Sequence, residues 1–209
     1  MTLLLLIRHG VTDVTGTRLV GWTPGVHLSE TGREQADAVR DRLGGTRIDA
    51  IYSSPLERCR ETAQPLAAER RLPIRIRKGI GEVAYGSWTN RPLKQLARTK
   101  LWRRVQIAPS RMRFPEGEAM SEARSRAVTE LDRIVTDHPR HVVAVFSHAD
   151  VIKLVVAEFA GIHMDLFQRI VVDPASVCAV EIGGGVPRLL RINDTGSLAS
   201  LAPRRRRGH

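Results

Sequence analysis

The stretch Leu3-Leu4-Leu5-Leu6-Ile7-Arg8-His9-Gly10-Val11-Thr12 decides how the rest of the chain is read. Its continuous apolar run, bounded by a polar loop, marks a strand buried on both faces, as in a parallel sheet. An arginine and a histidine at the mouth of such a strand need a reason, because burying polar groups without partners is costly. A second run of the same kind, Val142 to Phe146, leads into Ser147-His148-Ala149. A third, Ile48 to Tyr52, leads into Ser53-Ser54-Pro55-Leu56-Glu57-Arg58. Two histidines and two arginines thus fall at the ends of three apolar strands.

Helix signals fill the intervals. Ser29 and Thr31 are candidate N-caps, and Thr31 with Glu34 fits a capping box. Ala36, Val39 and Leu43 then recur at helical spacing before Gly44-Gly45. Further helices are predicted over Leu56 to Arg70, Ala119 to Thr136 and Val151 to Ala160, with irregular chain at 79–117. Val177 to Ile182 and Arg188 to Ile192 flank Gly183-Gly184-Gly185, the pattern of a hairpin. Alternating strands and helices imply an α/β fold, a three-layer α/β/α sandwich with a mostly parallel central sheet. Ligands in such folds bind beyond the carboxyl ends of the strands. Residues 1–203 read as a single domain, followed by a basic tail at 204–209.

The composition narrows the function classes. A 209-residue chain with 42% hydrophobic and 26% charged residues is that of an ordinary globular protein. The longest membrane-span candidate, Val151 to Ile162, is interrupted by Lys153 and Glu158. Met1 to Ile7 lacks the basic flank and cleavage site of a signal peptide. Cys59 and Cys178 form no C-x-x-C pair, which points to a reducing, cytoplasmic setting. The net charge of +11 arises from 33 basic and 22 acidic residues, and Arg204 to Arg207 supply four of those charges. Nucleic-acid binding is the non-enzymatic alternative, but aromatics make up only 4% of the chain and no recognition motif is present.

The strand ends suggest phosphate chemistry instead. Arginine forks hold tetrahedral oxyanions and stay charged. A neutral imidazole is a nucleophile, and a second, charged one can stabilise developing negative charge. Gly10 would let the backbone approach an oxyanion and present its N–H.

Arg8-His9-Gly10, the segment Ser53 to Arg58 with Thr62-Ala63, and Phe146-Ser147-His148-Ala149 together resemble the histidine phosphatase superfamily, the phosphoglycerate mutase-like family. Gly81-Glu82-Val83-Ala84-Tyr85-Gly86-Ser87-Trp88 is similar to the family segment that carries the acid. The resemblance covers about Leu3 to Ile182 with the motifs in the family's order. It implies His9 as the nucleophile that becomes a phosphohistidine. Arg8, Arg58 and His148 would surround the phosphoryl oxygens, and Glu82 would be the general acid and base. Thr12, Tyr85 and Ala149 are the further substrate-binding candidates, with Glu116 and Glu118 as rivals to Glu82. No metal or cofactor is called for, because arginine and histidine would supply the charge stabilisation. The partner is a small phosphorylated substrate, and a homodimer is an admissible assembly.

Within the family, a phosphomonoesterase is favoured and a phosphoglycerate mutase-like phosphomutase is the alternative. A mutase must hold and reorient a bisphosphate under a lid that excludes water. At 209 residues the chain leaves little room for such an insertion. The acid-free run Arg98, Lys100, Arg103, Arg104, Arg111 and Arg113 would suit a second anionic group if it covered the pocket.

Overall fold

The structure is a computed structural model that describes residues 1–183 and 185–196, so Gly184, residues 197–203 and the basic tail with Arg204 to Arg207 lie outside the described residues. Strand β1 (Thr2–Arg8) is the apolar run of the opening stretch. Its side chains alternate between two cores, Leu4 and Leu6 on one face and Leu5 and Ile7 on the other. That alternation is why the run carries no polar residue: both faces are covered.

The chain continues through a two-residue strand β2 (Arg18–Leu19) into α1 (Glu30–Arg42). Ser29 caps this helix, its hydroxyl accepting the Gly32 N–H at 3.2 Å. Of the two candidate caps Ser29 is the one used, and Thr31 lies inside the helix, because the Ser29 N–H is tied to the Val11 carbonyl and fixes the turn there. Strand β3 (Ala50–Ser53) leads into α2 (Glu57–Arg70), which ends on Arg71 in the left-handed conformation, φ 54°. A three-residue edge strand, β4 (Ile74–Ile76), follows. It is too short and too exposed to show in the hydrophobic pattern.

The segment expected to be irregular is partly ordered. Strand β5 (Arg91–Pro92) pairs with β2, and α3 (Leu93–Leu96) and α4 (Lys100–Ile107) follow. Thr99 caps α4 through the Trp102 N–H at 3.1 Å, and Trp102 stacks on Trp88. The long helix α5 (Met120–Asp137) precedes β6 (Val142–Ser147) and α6 (Ala149–Phe159). Last come β7 (Val177–Ile182) and β8 (Arg188–Asp194), the predicted hairpin.

The main sheet runs β4-β3-β6-β1-β7-β8, with the first four strands parallel and the last two joined antiparallel. Residues of α1 and α2 fill one core, and residues of α5 and α6 fill the other. This is the three-layer α/β/α architecture expected from the sequence. The register aligns Arg8 with Ser147 and Ser53 with Phe146, so β1, β6 and β3 end level with one another. The residues that follow them must therefore meet.

Candidate active site

His9 is the first residue beyond β1, and its N–H donates to the Ser147 carbonyl at 3.0 Å. This places it beside His148, the first residue beyond β6, with ring centroids 5.3 Å apart and an edge-on arrangement. Nδ1 of His9 lies 2.7 Å from the Gly10 carbonyl. A carbonyl can only accept, so Nδ1 carries the proton and Nε2 keeps its lone pair. Burial lowers the His9 pKa to about 3, with Arg58 and Arg8 adding to the effect. The imidazole is therefore neutral and nucleophilic across the physiological range.

Arg58 reaches the same place from the first turn of α2. Its Nη2 donates to the Gly21 carbonyl at 2.9 Å, while Nη1 is buried without a partner among the described residues. Arg8 repeats the pattern: Nη1 donates to the Val172 carbonyl at 2.7 Å, and Nε is buried with no partner among the described residues. Buried donors are almost always satisfied. Two unsatisfied guanidinium donors beside a nucleophilic imidazole describe a place made for an anion.

His148 is fully buried beneath this floor. Its Nε2 lies 2.8 Å from the Ser54 hydroxyl, and its Nδ1 is 3.3 Å from Arg58 Nη2 and 3.6 Å from Glu82 Oε2. Since guanidinium only donates, Nδ1 accepts and Nε2 donates to Ser54. Burial, then Arg58 and His9, hold its pKa well below the ordinary value. Desolvation therefore favours the neutral form of the second imidazole.

Glu82 faces these groups from the loop after a short 3-10 turn at Lys78–Ile80. Its carboxyl is raised to about 7 by burial and by Asp150, against the opposing pull of Arg58 and Arg8. Near neutrality it can both give and take a proton. Its rivals are elsewhere. Glu118 is paired with Arg126 at 2.6 Å and accepts the Ala84 N–H at 2.8 Å, and neither Glu118 nor Glu116 lines the cavity. Arg8, His9, Thr12, Arg58, Glu82, Tyr85 and Ala149 all line one cavity of about 240 Å³. A wider groove of about 710 Å³ along α1 and α2 holds none of them.

One expectation is corrected by this geometry, and one conditional reading is set aside. The Gly10 N–H is not free for an oxyanion, because it donates to the Thr62 hydroxyl at 3.0 Å. Glycine is needed there for packing: a Cβ at position 10 would sit 2.6 Å from the Gly32 carbonyl oxygen of α1. None of the six basic residues between Arg98 and Arg113 lines the cavity, so that run does not cover the site. Cys59, beside Arg58, has its thiol pushed up to about 12 by burial, which leaves it protonated and inert as a nucleophile.

This arrangement of motifs is matched by the model of the histidine phosphatase superfamily (branch 1) over residues 4–195. The chain belongs to that superfamily. Among the proteins this histidine phosphatase is similar to is phosphoserine phosphatase 1 of Hydrogenobacter thermophilus, 25% identical over 96% of both chains. Another is adenosylcobalamin/alpha-ribazole phosphatase of Escherichia coli, 27% identical over 86% of this chain and 89% of that one. A solved structure, phosphoserine phosphatase of Entamoeba histolytica in complex with 3-phosphoglyceric acid, superimposes with a TM-score of 0.81. It is 25% identical over 93% of this chain and 98% of that chain.

The structure also shows what holds the histidine phosphatase motifs in place, which the sequence alone did not reveal. Arg126 of α5 donates to the carbonyls of Gly79, Gly81 and Glu82 at 2.8–2.9 Å and so clamps the acid-bearing loop. Trp22 Nε1 donates to the same Glu82 carbonyl at 2.6 Å. The Thr62 hydroxyl, one turn after Arg58 on α2, bridges the Arg58 carbonyl and the Gly10 N–H. Asp150 accepts the Tyr85 hydroxyl at 2.9 Å and lines the cavity. Its signal was within reach, since it follows Ala149 at the end of an apolar strand. Trp22 and Arg126 carried none, because they act through backbone carbonyls that no motif encodes.

Proposed function

We propose that this protein is a phosphomonoesterase acting on a small phosphorylated substrate through a phosphohistidine at His9. The observation that carries the reading is one cavity lined by a neutral His9 whose Nδ1 is engaged with Gly10, by Arg8 and Arg58, each with a donor unpartnered among the described residues, and by a carboxyl near pKa 7. Arg8 and Arg58 hold the phosphoryl oxygens, and Thr12 and the Ala149 N–H add contacts at the rim. Nε2 of His9 attacks phosphorus as the bond to the ester oxygen breaks, and protonated Glu82 gives its proton to that oxygen, releasing an alcohol. A water then attacks the phosphohistidine. It gives one proton to the Glu82 carboxylate and its oxygen to phosphorus, the P–N bond breaks, and inorganic phosphate leaves. His148 supports Arg58 from below and becomes protonatable once a dianion enters.

Relatives named as phosphoserine and alpha-ribazole phosphatases share the hydrolysis of an alcohol's phosphate ester. The small cavity and the absence of the Arg98–Arg113 run from its lining favour hydrolysis over a mutase cycle, which needs a second anion site. Buried, unpaired Cys59 and Cys178 suit a cytoplasmic enzyme, and no helix among the described residues is long and apolar enough to cross a membrane.

The test is phosphate release from p-nitrophenyl phosphate with and without EDTA, beside His9→Ala. Turnover that survives EDTA and vanishes in the variant is expected. Strict metal dependence, or an active variant, overturns the mechanism. Rapid interconversion of phosphoglycerates primed by a bisphosphate, with little free phosphate, would replace the hydrolase with a mutase.

A further inference from the structure

One wall of the cavity supplies no contact to the phosphoryl group itself. Asp150 is the second residue of α6, and its Oδ2 accepts the Tyr85 hydroxyl at 2.9 Å. Its Oδ1 accepts no hydrogen bond among the described residues. The ion-pair contact of Oδ1 is Lys153 Nζ at 3.9 Å, and that ammonium is engaged with Gln168 at 3.1 Å and with the Phe167 ring. The Tyr85 oxygen, having given its proton to Asp150, offers only lone pairs. Its ring is fixed edge-on against Phe114, with centroids 5.0 Å apart. Beside the arginine-lined floor there is therefore an acceptor-only patch made of one carboxylate oxygen and one phenol oxygen. Leu19, Val20 and Leu93 supply the apolar part of the same cavity.

We propose that Asp150 and Tyr85 form a leaving-group subsite for an ammonium, so that the preferred substrate is an aminoalkyl phosphate with its cation within a few bonds of the ester oxygen. A carboxylate beside a phosphate pocket works against binding a bare anion, and it needs a compensating partner. A substrate ammonium supplies that partner by accepting nothing and donating to both oxygens. A second anionic group on the leaving alcohol meets repulsion at the same place. The cavity of about 240 Å³ brings these oxygens within reach of a small alcohol whose phosphate sits on the arginine floor. Helix-terminal stabilisation alone would explain an acidic residue at the start of α6. It would not explain why this residue lines the cavity and accepts the Tyr85 hydroxyl.

This inference rests on the phosphatase reading, and the experiment separates the two. O-Phosphoethanolamine and 2-phosphoglycolate are two-carbon phosphate esters that differ in an ammonium against a carboxylate. The ratio of their kcat/KM values is measured for wild type and Asp150→Asn, which keeps the size and a hydrogen-bond acceptor for Tyr85. Arg18, which also lines the cavity, is the same in both proteins, and any altered acidity of Glu82 acts on both substrates alike, so neither enters the change in ratio. The ratio is expected to fall about 10–100-fold in the variant. A ratio unchanged within twofold, with p-nitrophenyl phosphate still hydrolysed, overturns the subsite and leaves the phosphatase standing. Wild type that hydrolyses none of the three esters overturns the phosphatase reading and the subsite with it.

Discussion

Glu82→Gln isolates the proton of the proposed general acid. The variant keeps the side chain's size, and its amide oxygen can still accept the Val83 N–H held at 2.9 Å. It can neither release nor take up a proton. In the folded protein the carboxyl is lifted from 4.5 to about 7, first by burial and then by Asp150. The unfolded chain keeps the ordinary value, so between these limits the folded state holds a proton that the unfolded state has released. The stability tied to that proton is fully present below pH 4.5 and is lost as pH rises through 7. At about 1.4 kcal/mol per pKa unit the loss reaches roughly 3 kcal/mol. Glutamine escapes it.

In urea titrations the variant should exceed wild type by less than about 1 kcal/mol at pH 5 and by about 2–3 kcal/mol at pH 8. The gain in stability should accompany a loss of catalysis. An alkyl phosphate needs its leaving oxygen protonated, and its kcat/KM should fall about 10²–10⁴-fold. p-Nitrophenyl phosphate, whose phenolate leaves unaided, should lose about tenfold or less. In wild type the alkyl ester's kcat/KM should decline above pH 7, and in the variant that decline should be gone. Equal losses for both esters, or a variant no more stable than wild type at pH 8, would refute the assignment of the acid and of its raised pKa.

Other substitutions test the frame around it. Gly10→Ala places a methyl 2.6 Å from the Gly32 carbonyl oxygen and should cost about 1–3 kcal/mol in chemical denaturation. Gly45→Ala meets nothing within 4 Å and should change stability by about 0.5 kcal/mol or less. Arg126→Met strips three carbonyls and leaves Glu118 unpaired. It should cost about 3–5 kcal/mol and slow alkyl esters more than aryl ones; a fall shared equally by both would mean the loop does not position the acid. His9→Asn removes a group lowered to about 3. Wild type loses stability as pH falls from 6.5 toward 3, and the variant's unfolding curve should be shallower there by about 1.4 kcal/mol per pH unit.

The sequence made the site legible wherever burial forced an unmistakable composition. Leu3 to Ile7 and Val142 to Phe146 could only be strands covered on both sides, so Arg8, His9 and His148 at their ends stood out. Arg58 was legible through its place after Ser53-Ser54-Pro55. What stayed hidden depends on tertiary contact. Strand β4 has three residues and pairs on one side only, so its pattern is too weak to read. The ordering of α4 rests on Trp102 stacking with Trp88. The task of Gly10 was misread because the neighbour that demands glycine, Gly32, lies on another element. The lowered pKa of His148 stayed hidden for a related reason: a sequence shows that a histidine is present but not how dry its surroundings are.

That dryness is the common cause behind the two proton states the mechanism needs. Desolvation disfavours whichever form is charged. It therefore keeps His9 deprotonated, as a nucleophile requires, and keeps Glu82 protonated, as an acid requires, from a single environment. Neighbouring arginines push further in the same direction for His9 but oppose the shift for Glu82. Without a counterweight, Arg58 and Arg8 would draw the carboxyl back toward its ordinary value and leave it ionised at neutral pH. Asp150 is that counterweight, being the largest influence after burial that raises Glu82. One carboxylate on the first turn of α6 thus bears on two properties at once: the acid's proton and the charge the cavity accepts on the leaving alcohol. A substitution there should shift the pH profile and the substrate ratio together, whereas Tyr85→Phe, which frees Asp150 Oδ2 but keeps its charge, should leave the sign of the substrate preference intact.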